Sequence, residues 1–124
     1  MIQNRWDDEK VTTKNSYDGT SQRSMGSIQK GRWTDWTIRI IPSYKSNGIL
    51  EVWRGNTRVY SRKGPNTYND AKGPFMKMGL YEPVWRKNYP WKKAVTASKP
   101  KEHTLYFDAV KIAKGSGAAK LVQP

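Results

Sequence analysis

The densest chemistry in the chain lies in Gly73-Pro-Phe-Met-Lys-Met-Gly-Leu-Tyr81. With the two-residue period of a strand, Phe75, Lys77, Gly79 and Tyr81 project to one side, and Met76, Met78 and Leu80 to the other. This pattern puts an ammonium and a phenol on one face, ~13 Å apart along the backbone. The glycine between them removes a side chain and suits close approach of a ligand to the main chain. The same pattern also describes a half-exposed strand that keeps Lys77 and Tyr81 for solubility.

A second group of chemically capable residues runs from Glu82 to Lys101. Val84–Lys101 holds six basic residues and no acidic one. There Trp85 and Trp91 offer flat rings for stacking, while Arg86, Lys87, Lys92 and Lys93 offer cations to carboxylates or sulfates. Bases and phosphates would be met by the same mixture. The whole chain has 23 Lys+Arg against 10 Asp+Glu, a net charge of +13, so its expected partner is an anion. Most of that excess lies beyond residue 31. With no cysteine, a disulfide framework and a thiolate metal site are both excluded. No apolar run reaches the length of a membrane span, and no cofactor is implied. Asp7, Asp8 and Glu9 are consecutive, so they do not converge on one centre and read as a solvated run rather than a metal site.

Strands must position these groups. Six Trp, seven Tyr and two Phe among 124 residues favour a β protein, because flat rings pack well on pleated surfaces. Arg32–Ile41 alternates cleanly, with Trp36, Ile38 and Ile40 on one face and Trp33, Asp35, Thr37 and Arg39 on the other. Pro42 ends it. Ser46-Asn47-Gly48 is a turn, Ile49–Arg54 a second strand, Gly55-Asn56 a tight turn, and Thr57–Ser61 a third strand, which together make a meander. Trp33 and Trp53 are expected to pack. Arg62–Pro74 reads as a loop leading into a Phe75–Tyr81 strand, and Thr104–Ala113 as the last strand. Residues 1–30 are poor in apolar groups and are expected to be a loop-rich, poorly ordered segment with one short strand near Lys10–Thr13. The β domain then covers 31–114, and 115–124 forms a flexible tail.

Several motifs occur in an order that resembles the C-terminal half of β-jelly-roll polysaccharide lyases, nearest the heparin-lyase and glucuronan-lyase type. They are Gly31-Arg-Trp-Thr-Asp-Trp-Thr-Ile-Arg-Ile, Gly48-Ile-Leu-Glu-Val-Trp-Arg-Gly-Asn, Gly64-Pro-Asn-Thr-Tyr-Asn-Asp, Phe75-Met-Lys-Met-Gly-Leu-Tyr and Leu105-Tyr-Phe-Asp-Ala-Val-Lys-Ile. Phe75–Tyr81 is also similar to the Lys-x-Gly-x-Tyr strand of jelly-roll alginate lyases. The resemblance implies an all-β, antiparallel, concanavalin A-like jelly-roll sandwich in truncated form, since such sandwiches routinely run to roughly 200 residues or more. It also implies an extracellular or secreted setting, and an acidic, uronic-acid-containing polysaccharide cut by β-elimination. On matching positions Tyr81 is the catalytic tyrosine, and Lys77 supplies the charge that draws its pKa down from about 10. Arg39 is placed to pair with the sugar carboxylate, and Asn66 and Tyr68 to contact substrate. Where lyases of this kind often carry a histidine in the central strand, this chain has Arg39; its one histidine, His103, precedes the last expected strand. A non-catalytic carbohydrate-binding sandwich and a single-stranded nucleic-acid binder remain the alternative readings.

Overall fold

The computed structural model describes residues 1–10, 17–80 and 102–122. They fall into two units, one formed by Met1–Pro74 with Ile112–Pro124 and the other by Phe75–Lys111. The described residues of the first unit hold six strands: β1 (Ile2–Lys10), β2 (Gly19–Arg23), β3 (Trp36–Ile41), β4 (Ile49–Arg54), β5 (Thr57–Lys63) and β6 (Tyr68–Asn69). One short helix, α1 (Ala118–Val122), follows. The protein is therefore all-β, built on two three-stranded sheets ordered β2-β1-β6 and β3-β4-β5. No helix among the described residues is long and apolar enough to cross a membrane.

The meander forms where the alternation and the turn residues place it. Every residue of β3 has an antiparallel partner on β4, from Trp36 opposite Arg54 to Ile41 opposite Ile49. Gly55 takes φ +54°, the left-handed conformation a tight hairpin turn needs, and β5 returns along β4. The pairing shifts between Trp53–Arg58 and Val52–Tyr60, which leaves Val59 as an extra residue on β5. Such a bulge resets the alternation, so Arg58 shares a face with Trp53 whereas Tyr60 shares the opposite face with Val52.

Among the described residues, Leu50 and Val52 on the apolar face are the buried hydrophobic ones. Their cross-strand partners Ile40 and Ile38 are more open, Ile38 being 61% exposed. These four side chains, together with Ile2 and Asn4 of β1, line a space of about 680 Å³. The hydroxyls of Ser21 and Tyr60, 3.1 Å apart, link the two sheets. So does the Arg62 guanidinium, 4.1 Å from the Trp6 ring centroid. Trp6 lies opposite Gly19, where a Cβ would come within 2.2 Å of the indole, so only glycine lets the ring settle there.

Several expectations are corrected. Residues 2–10 and 19–23 are strands where composition pointed to loop; cross-strand pairing holds this polar hairpin, and the Trp6 ring lies against Gly19 within it. Lys10 closes a strand that begins at Ile2, and the rest of the strand expected near Lys10–Thr13 lies outside the described residues. Residues 75–80 and 104–113 are in no strand, and Phe75 is 77% exposed. Alternation alone does not make a strand; a neighbouring backbone must take its N–H and C=O groups. The expected loop after β5 contains β6, which pairs in parallel with β1, and the expected tail contains α1.

Candidate anion-binding site

The two faces of the β3-β4-β5 sheet differ in chemistry. Ile38, Ile40, Leu50 and Val52 make the first apolar, and it turns toward β1. The second face carries Thr37 and Arg39 of β3, Glu51 and Trp53 of β4, and Arg58 and Ser61 of β5, by the register of the three strands. At its centre Glu51 is held from both sides. Arg39 Nη1 donates to Glu51 Oε2 at 2.7 Å, and Arg58 Nη1 donates to Glu51 Oε1 at 2.9 Å. The Glu51 side chain is 12% exposed, whereas those of Arg39 and Arg58 are 45% and 54% exposed.

An acid in the middle of an otherwise apolar Ile-Leu-Glu-Val-Trp strand is tolerated here because both carboxylate oxygens accept charge-assisted hydrogen bonds. The carboxylate also keeps two like charges close together and leaves the group with one net positive charge. Each guanidinium has five N–H donors, and the structure gives one from each to Glu51. The remaining N–H edges are carried by half-exposed side chains.

Asn66 fixes the end of this sheet. Its Oδ1 accepts from the Ser43 N–H at 2.9 Å, and its Nδ2 donates to the carbonyls of Ile41 and Ile49 at 3.0 and 3.1 Å. Its own N–H donates to the Ser43 carbonyl at 2.7 Å. Ile41 and Ile49 are register partners one strand repeat from Arg39 and Glu51, so the buried amide clamps the strands beside the charged group. Gly48 completes the clamp, since a Cβ there would lie 2.4 Å from the Gly64 carbonyl oxygen.

Of the residues singled out from sequence, Arg39 stands in a charged cluster. Asn66 serves as the fastener just described, and half-buried Tyr68 of β6 pairs with Asp7 and lines the space beside β1. Lys77, in the second unit, is exposed with its Nζ 5.0 Å from the Phe75 ring centroid. Tyr81, Trp85, Arg86, Lys87, Trp91, Lys92 and Lys93 lie outside the described residues. Trp53 is half-buried, but Trp33, expected to pack, is 70% exposed. Among the described residues, the acidic ones that do converge are Asp7, Asp8 and Asp18, with oxygens within 4.8 Å of one another. Asp18 joins them through β1–β2 pairing, and Asp7 and Asp18 accept main-chain N–H groups of Glu9 and Asp8.

Sequence reasoning missed Glu51 and Arg58. Glu51 announces itself as the lone acid within its strand, and counting outward from Gly55-Asn56 sets Arg58 opposite Trp53.

No curated protein and no solved structure matches this chain. A family model described as polysaccharide lyase matches residues 1–111, which takes in the N-terminal hairpin, the meander and the second unit. With the match covering most of its length, the chain belongs to the polysaccharide lyase family.

Proposed function

We propose that this protein is a polysaccharide lyase that cleaves an acidic, uronic-acid-containing polymer by β-elimination on a jelly-roll scaffold of the heparin-lyase or glucuronan-lyase type. The observation that carries the reading is the family match, and the partly exposed, carboxylate-held guanidinium of Arg39 agrees with an anionic substrate. A net charge of +13 favours the same class of polymer. Arg39 meets a sugar carboxylate through the N–H edge that Glu51 does not occupy, and withdrawal of charge from that carboxylate makes the C5 proton more acidic. The resemblance assigns removal of that proton to Tyr81 and stabilisation of its phenolate to Lys77. The C5–H electron pair becomes the C4=C5 double bond, the C4–O4 bond breaks, and the departing oxygen takes a proton from water or from the newly protonated Tyr81 phenol. An extracellular or secreted setting suits such a substrate.

The test is ultraviolet absorbance of the unsaturated product across a panel of uronic-acid polymers, with Tyr81→Phe beside the wild type. A group that acts in the transition state contributes roughly 100-fold or more, so turnover should fall by that factor while affinity stays near the wild-type value. Binding without product in the wild type would overturn the lyase and leave a carbohydrate-binding protein.

A further inference from the structure

We propose that Arg39 and Arg58, held as a pair by Glu51, form a subsite that grips one carboxylate or sulfate group of an acidic glycan, with Glu51 as the positioning residue. This deepens, and rests on, the acidic-glycan reading of the preceding subsection. The three residues come from three adjacent strands and share one sheet face, so the backbone ladder fixes their spacing. Because each guanidinium spends one Nη1 donor on a different oxygen of the same carboxylate, the planar groups are oriented before a ligand arrives. One net positive charge remains, and a singly charged anion neutralises it. The burial of Glu51 matters: an exposed acid would exchange partners with water, whereas this one is largely enclosed with both oxygens bonded to the residues it orients.

Trp53 narrows the ligand class. It follows Glu51 by two residues on the same strand face and stands opposite Arg58 and Thr37. Half-buried, it offers a flat apolar surface about 7 Å along β4 from the charged centre. A free inorganic anion has no use for such a surface, whereas a sugar ring bearing an anionic substituent fits both parts.

The experiment titrates a glucuronate homopolymer, heparin and single-stranded DNA into the full chain by calorimetry at low and moderate salt. Arg58→Lys keeps the charge and removes the planar fork, and at a half-exposed position it should leave the fold intact. Glu51→Gln raises the net charge by one and releases both guanidiniums. If the pair acts as an oriented clamp, Arg58→Lys weakens glycan binding roughly tenfold, the scale of a hydrogen bond to a charged group. Glu51→Gln then also weakens it, in spite of the added positive charge. Loss on the homopolymer identifies a bound carboxylate, and loss confined to heparin identifies a sulfate.

If Arg58→Lys binds like the wild type, the surface is diffuse positive charge and the proposal fails; tighter binding by Glu51→Gln has the same meaning. Near-ultraviolet circular dichroism monitors packing, and where Glu51→Gln does not fold, Arg58→Lys decides alone. Tighter binding of DNA than of either glycan at matched salt overturns the ligand class. Product release is followed in parallel. Glycan binding that depends on Arg58 without product ends the lyase reading and leaves the subsite standing; product with unchanged binding in both variants does the reverse.

Discussion

Asn66→Ala tests whether that side chain fastens the sheet or touches substrate. The amide makes three side-chain hydrogen bonds, to Ser43, Ile41 and Ile49, and the residue is 8% exposed. Each such bond contributes about 1 kcal/mol net, so alanine should destabilise the domain by about 3 kcal/mol. Groups left buried without a partner would add to that loss. At this chain length the melting temperature should fall on the order of 10 °C, measured by near-ultraviolet circular dichroism through the Trp and Tyr signals. Asn66→Asp should do no better. It keeps the acceptor for Ser43 but turns an anionic oxygen toward two carbonyls. The reasoning would be refuted by an Ala variant that melts like the wild type yet binds acidic polymer more weakly, because that result describes a substrate contact.

Gly48→Ala should destabilise by about 1–3 kcal/mol, since the new methyl would press on the Gly64 carbonyl and the Asn66 amide; unfolding in urea checks it, and an unchanged midpoint would show that the loop yields freely. The Lys92→Ala, Lys93→Ala double variant should bind acidic polymer more weakly and with a flatter dependence on salt, because exposed cations are screened. Unchanged affinity at low salt would remove the basic segment from the contact surface.

The meander was legible because its signals are local: alternation in Trp36–Ile41 and Ile49–Arg54, and a Gly55-Asn56 turn that can take the left-handed conformation. Composition and charge pointed to an anionic partner, and the order of motifs pointed to the lyase family. The N-terminal hairpin was not legible, because Trp6 is covered only when Gly19 and the Arg62 guanidinium come to it from elsewhere in the chain. Phe75–Leu80 failed in the opposite way, since alternation describes which side a residue faces and cannot supply the neighbouring strand that a ladder requires. Arg39 was visible as a basic residue on a polar face, but its partners were decided by register. The extra residue at Val59 turns Tyr60 toward β2 while leaving Arg58 on the face of Trp53, from which its guanidinium reaches Glu51. One residue of slip reverses every side chain beyond it, so the assembly of Arg39, Glu51 and Arg58 belongs to the tertiary structure, while the types of residue it uses were already written in the sequence.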